Sequence, residues 1–572
     1  MVKYSYDALA ATVRMKDITS DARNRAVLHR IKNNDPSLTK LYIGYEDNEF
    51  DFVIREGDDL DWLGYYIGKN EILESLGVFD LRDQAEKFFI GLQRNKSIKG
   101  IELDGCASDS FSSINLPHVT TMTVDLNYDA EYDCERTHHI AVGLQRCKSL
   151  VEYDGPMASE IVTSLTTLPM LENVILWGTS NEDVAIGREE CVALKGLFAI
   201  ATNLKHLHIF FTLGNEGLAI LAEELACNTK LRELKLDIGD AGLEALADSL
   251  ACNRTLRVLS IARNTAITVT GVKTVSRILH LQSGMSGLED LCLDGINISD
   301  EGGLFLAAAL SVNQTLVSLS LKCDWGGVSI GDYGLRALAL GLSQNSHLKS
   351  LNLSGNTAIT ASGLRSLEDY FGSPSCALEK LELYRINIGD RGARALADAL
   401  RRNKSLRSLF FNVGGITSNG WNSFLNLICD PSSPNNLYLS NHTLCDLGDY
   451  LNPSTTTRSH VKNLIARWLK VNNDYTPNVA SKTKILPLFY ANAIDMVPLF
   501  QWDLKLLPSL KLWFNILSEN REFKASIRNN ELSCIYKFVR GFPMLVGDNL
   551  RRYLTRQGDR TRTEEESSLM QG

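Results

Sequence analysis

None of the twelve cysteines of this 572-residue chain stands in a Cys-x-x-Cys pair, so a zinc site has no support in the spacing. They are spread singly: Cys106, Cys134, Cys147, Cys191, Cys227, Cys252, Cys292, Cys323, Cys376, Cys429, Cys445 and Cys534. Dispersed thiols of this kind pack as small apolar side chains and fit a reducing compartment, cytoplasmic or nuclear. No run of about 18 uncharged apolar residues occurs anywhere, and the opening MVKYSYDALAATVRMKD has no apolar core of a signal peptide. The expectation is therefore neither a leader nor a membrane span. A basic surplus is missing too. With 59 basic against 68 acidic residues the formal charge is −9, which gives no field suited to a phosphate backbone, so nucleic acid is not the expected partner.

Motifs of catalysis are equally scarce. Gly64-Tyr-Tyr-Ile-Gly68-Lys69-Asn70 is one residue short of a phosphate-binding loop and continues with Asn instead of Ser or Thr. There is no His-Glu-x-x-His. Gly284-Met-Ser-Gly287 lies between a helix and a strand, not on the strand-to-helix turn that a nucleophile elbow needs. His138 and His139 are adjacent, so they point in different directions on any regular element and do not form a ligand pair. No catalytic residue, cofactor or metal is expected, and the chain reads as a non-enzyme.

What the chain does have is internal repetition. IGDRGARALADALRRNKSLRSLFF, Ile388 to Phe411, aligns without a gap on IGDAGLEALADSLACNRTLRVLSI, Ile238 to Ile261. Leu243, Leu246, Ala247 and Leu250 form one apolar stripe at helical spacing, with Glu244 and Asp248 on the wet side. Asp240 and Asp390 stand where an N-cap belongs. Asn253 and Asn403 stand at the turn out of the helix. Leu256-Leu259-Ile261 and Leu406-Leu409-Phe411 have the period of two that makes a short strand. Such strands are expected to begin near 38, 73, 98, 119, 150, 171, 204, 231, 256, 288, 316, 348, 378, 406 and 434, a mean spacing of about 28 residues. The short steps 98 to 119 and 150 to 171 leave room for a turn or a single helical turn. The sequons at Asn95, Asn253, Asn313 and Asn403 coincide with the repeat's own turn, which argues against glycosylation.

The pattern IxDxGxxALAxALxxNxxLxxLxL, carried at 238–261, 298–321, 330–353 and 388–411, resembles the leucine-rich repeats of the ribonuclease-inhibitor-like class, including those of NOD-like receptors and Ran GTPase-activating protein. The resemblance is strong over 200–440 and weaker over 38–200. DLDWLGYYIGKN at 59–70, together with IDMVPLFQWDLKLLPSLKLWF at 494–514, is also similar to leucine-rich-repeat families of diatom-type algae, a likeness that implies no activity. The class implies an α/β solenoid, a horseshoe with a parallel concave sheet and outer helices, which usually binds proteins. The expected organisation is an N-terminal helical cap at 1–35, repeats over 36–444, an all-helical C-terminal cap domain at 445–550 rich in aromatics such as Trp468, Trp502 and Trp513, and a disordered tail at 551–572.

Residues that flank the last inward positions of each LxxLxL segment point outward from the sheet. An acidic group there, Glu102, Asp104, Asp125 and Asp154, runs into Trp177, His208 and Phe210, with Asp237 beyond; Glu382, Tyr384 and Phe410 form a smaller group at the far end. Aromatics beside charge are the material of interface hot spots. The expected function is a non-catalytic protein-interaction scaffold whose partner presents a basic, partly apolar segment. The alternatives are a GTPase-activating protein for a small GTPase, which the Ran GTPase-activating protein likeness implies, and the ligand-sensing half of an immune-type receptor system.

Overall fold

The computed structural model describes residues 6–484 apart from 46–48, 80, 82–84, 105–110, 114, 126–133, 179–186, 212, 283–286, 324–328, 433, 449–459, 478 and 482. The expected helices and tail beyond residue 484 lie outside the described residues. The chain divides into two compact units, 1–328 and 329–572.

In the first unit the strands are β1 (Lys40–Gly44), β2 (Phe52–Val53), β3 (Ser75–Phe79), β4 (Gly100–Asp104), β5 (Thr121–Asp125), β6 (Glu152–Pro156), β7 (Asn173–Trp177), β8 (His206–Phe210), β9 (Glu233–Leu236), β10 (Val258–Ser260), β11 (Asp290–Cys292) and β12 (Ser318–Ser320). All pair in parallel, in chain order except that β2 lies outside β1. Because each strand enters at the same repeat position, the inward side chains fall into register. Leu41, Leu76, Ile101, Met122, Tyr153, Val174, Leu207, Leu234, Leu259, Leu291 and Leu319 form one continuous row. Each is 3% exposed or less, and full burial of such a side chain is worth about 1.5–3 kcal/mol. A single coil could not bury this row, which is why the units stack.

In the second unit β13 (Ser350–Asn352), β14 (Lys380–Leu383) and β15 (Ser408–Phe411) pair in parallel. The strand expected near 434 is instead a helix, Pro434–Leu439. The pairing continues later, at a bridge between Ser408 and Asp446, because the segment with the repeat's asparagine and leucines is Asn441-His-Thr-Leu444-Cys-Asp-Leu447. The further strand, β2, has no LxxLxL signature at all. The short step from 150 to 171 also holds more helix than expected, Ser159–Leu165, whereas the step from 98 to 119 holds one 3-10 turn at Phe111–Ser113.

Two readings of single residues are corrected. Asp240 does not cap its own helix, Asp240–Cys252, whose N-cap Gly239 makes no side-chain bond. Its carboxylate accepts from Thr268 N at 2.8 Å and Gly271 N at 3.0 Å in the next repeat, and from the Thr268 hydroxyl. Asp390 does the same for Thr417 and Gly420. The glycine is required there, since a Cβ on Gly271 would lie 2.4 Å from that carboxylate. Nor are the asparagines mere turn formers. Asn253 donates to Leu225 O and accepts from Thr255 N and Leu256 N, and Asn95, Asn313, Asn403 and Asn441 repeat the arrangement. Asn472 of the helix His460–Asp474 extends this ladder by donating to Leu444 O at 2.6 Å. The sequon asparagines Asn95, Asn253, Asn313 and Asn403 are at most 3% exposed, so their amides belong to the interior. Gly64 and Gly68 lie within the helix Leu60–Lys69 and not in a phosphate-binding loop.

Candidate functional site

Alternation along each strand sends one set of side chains into the core and the other outward, and parallel register lines the outward set into rows. In the first unit one row runs Phe79, Asp104, Asp125 across β3–β5, with Pro156, Trp177 and Phe210 in register across β6–β8. A second runs Gly77, Glu102, Thr123, Asp154, Ile175, His208, Lys235. A third includes Thr121, Glu152, Asn173, His206 and Glu233. Glu102, Asp104, Asp125, Asp154, Trp177, His208 and Phe210 are thus brought onto adjoining strands of one face. Asp237 sits one residue past β9, exposed.

Within this face the groups differ in how they are satisfied. The Trp177 indole N–H donates to the Asp154 carboxylate, which fixes the ring across the sheet. Burial pushes the Asp154 carboxyl above its ordinary range; the indole bond opposes this, and the neighbouring Glu152 and Asp125 charges reinforce it. Phe210, 51% exposed, stands open on β8. Three strands along, the pattern reverses. Glu233, which the sequence reading passed over, accepts from His206 Nδ1 at 3.0 Å, His208 Nε2 at 3.1 Å and Lys235 Nζ at 2.9 Å. Burial alone would raise its pKa, yet the bonds from Lys235 and His206 hold it at about 2. His208 is therefore part of a compensated charge network and not a free contact residue.

Glu382, Tyr384 and Phe410 meet on the second unit. Tyr384 and Phe410 stack at 5.9 Å, Lys380 lies 5.5 Å over the Phe410 ring, and Lys380 pairs with Glu382 at 2.6 Å. A Cβ on Gly448 would lie 3.3 Å from the Phe410 ring, so the chain after Asp446 passes beside it. His138 is exposed and faces Glu160 at 2.9 Å. Among the described residues no group of three or more His, Cys, Asp or Glu side chains is placed to hold a metal ion, and no helix is long and apolar enough to cross a membrane.

A family model described as Leucine Rich repeat matches residues 252–276 and 344–367. No curated protein matches the chain. Among solved structures, a chain of the crystal structure of the Rad7 and Elc1 complex in yeast is similar, with 16% identity, 63% of this chain and 86% of that chain covered, and a TM-score of 0.36. Each matched segment carries one strand–helix unit of the parallel stacks described above, that of β10 and that of β13, so leucine-rich repeats are shown at those two places and the fold is of the α/β leucine-rich-repeat kind.

Proposed function

We propose that the protein is a non-catalytic scaffold, of the ribonuclease-inhibitor-like repeat subtype, that holds a protein partner on the outward strand face of its first unit. The observation that carries this reading is the juxtaposition of Asp104, Asp125 and Asp154 with Trp177 and Phe210 on adjoining strands. A preformed parallel sheet holds these side chains at fixed spacing, so little ordering entropy is lost on contact. Large rings beside a row of carboxylates favour a partner segment that is basic and partly apolar.

The test is the double substitution Trp177→Ala with Phe210→Ala, read by affinity capture and by thermal unfolding. Capture of the partner is expected to be lost, while Tm changes by no more than about 2 °C, since neither ring belongs to the inward row. Unaltered capture overturns the assignment of the face.

A further inference from the structure

The same face carries a second aromatic group on the other side of the carboxylates. Tyr42 on β1 and Phe79 on β3 lie 6.2 Å apart, with Phe50 4.8 Å from Phe79. Their rings lie across the outward face, because a Cβ on Gly77 would fall 2.4 Å from Tyr42 and 2.9 Å from Phe79. Phe79 is the register partner of Asp104. Across the sheet the order is therefore aromatic on β1 and β3, carboxylate on β4 to β6, aromatic on β7 and β8.

The carboxylate block is strongly unbalanced. Strands β4 to β7 carry Glu102, Asp104, Asp125, Glu152 and Asp154 and no Lys or Arg, and the whole stretch 101–187 has only three basic residues, Arg136, Arg146 and Lys148. None of the three basic residues lies on a strand. Glu102, Asp125, Glu152 and Asp154 have no ion-pair partner among the described residues. Like charges held this close repel, and cations placed among them relieve that repulsion. Phosphate-bearing ligands and anionic lipid surfaces would meet repulsion instead.

We propose that this face binds one extended peptide segment, basic in its middle and apolar at both ends, lying across the strands with one end on Tyr42 and Phe79 and the other on Trp177 and Phe210. The proposal rests on the strand face being the partner surface and adds the pattern that the partner must carry. Five strand steps of about 4.8 Å separate β3 from β8, roughly 24 Å, which an extended chain covers in seven or eight residues at about 3.3 Å each. One aromatic group alone would leave the basic middle free to slide; two fix its register.

Fluorescence anisotropy on the full chain tests this with a labelled peptide of about eight residues, tryptophan at each end and lysines between. Partner peptides have serine at one end, serine at both ends, or glutamates in place of the lysines. The parent peptide is expected to bind, with affinity falling about tenfold for each tryptophan removed and binding lost on charge inversion. Raising salt should weaken it. In Phe79→Leu, which keeps an apolar side chain, the dependence on one tryptophan should vanish; in Trp177→Ala with Phe210→Ala, the dependence on the other. Equal binding by the serine-ended peptides overturns the two-anchor arrangement. If no peptide binds, yet capture of the natural partner is still lost in the Trp177/Phe210 variant, this inference fails and the scaffold reading stands. If that capture is untouched, the scaffold reading itself fails.

Discussion

Strands β4–β6 and β8–β9 belong to one sheet, expose the same face and carry several ionisable groups each, yet they treat charge in opposite ways. On β8–β9 a single carboxylate, Glu233, gathers His206, His208 and Lys235 around it within 3.1 Å. On β4–β6 carboxylates adjoin carboxylates, and among the described residues the polar donor aimed at Asp154 from a neighbouring strand is the Trp177 indole. The first arrangement is complete without a partner. In the second, Glu102, Asp125, Glu152 and Asp154 have no ion-pair partner among the described residues, and under the proposed reading a basic segment supplies one.

The largest separation between the two regions is expected on neutralising their carboxylates. Glu233→Gln removes the charge that three donors share, and should cost about 2 kcal/mol, read as lost amide-exchange protection in β8 and β9. Asp154→Asn keeps an acceptor for the indole while removing one of several like charges, so protection in β6 should hold or rise by up to about 1 kcal/mol. Equal losses at both positions would mean that the block on β4–β6 is compensated after all.

Acid separates them next, with opposite signs. Glu233 ionises in the folded state at about 2, below its ordinary 4.5, so its stabilisation is present above 4.5 and is lost as pH falls from there toward 2. Asp154 is shifted upward from 3.8. Its charge therefore penalises folding at neutral pH, and that penalty fades as pH falls through its raised value toward 3.8. Between pH 6 and 3, protection relative to the chain average should drop in β9 and rise in β6, and Glu233→Gln and Asp154→Asn should each flatten their own response.

How far this contrast was readable beforehand follows from what register does. The repeat period placed Glu102, Asp104, Asp125, Asp154, Trp177 and Phe210 on one face, since alternation along a strand needs no tertiary information. Glu233 was missed because it sits immediately before the last inward pair, Leu234 and Leu236, and only parallel pairing with β8 brings His206 and His208 to it. Tyr42 and Phe79 were missed for a related reason: β1 and β3 depart from the leucine pattern, and their rings meet over Gly77 only once those strands pair directly. The strand expected near 434 failed through composition. Pro431 and Pro434 stand where a strand was expected, and the repeat resumes at Asn441, whose ladder bonds to Leu400 O and Asn403 O identify the unit. Asp240 and Asp390 had the right residue type for a cap, whereas which helix they serve depends on stacking.

The smallest expected effect isolates the hinge between the two regions, Trp177, which contributes both a ring and a donor. Trp177→Phe keeps an aromatic surface in the row with Phe210 and deletes the N–H that reaches Asp154. A neutral donor to a carboxylate on an outward face contributes about 1 kcal/mol, so stability should fall by no more than that. Without the donor the Asp154 pKa should rise further, because the indole bond is what opposes burial and the Glu152 and Asp125 charges. Carboxylate chemical shifts followed through a pH titration would show it. Under the two-anchor arrangement, the apolar end of a peptide still finds a ring while the acidic block becomes easier to protonate, so binding in Trp177→Phe should persist at neutral pH and weaken on mild acidification sooner than in the parent. A variant that binds as poorly as Trp177→Ala would instead show that the indole's hold on Asp154, not its ring, is what the partner reads.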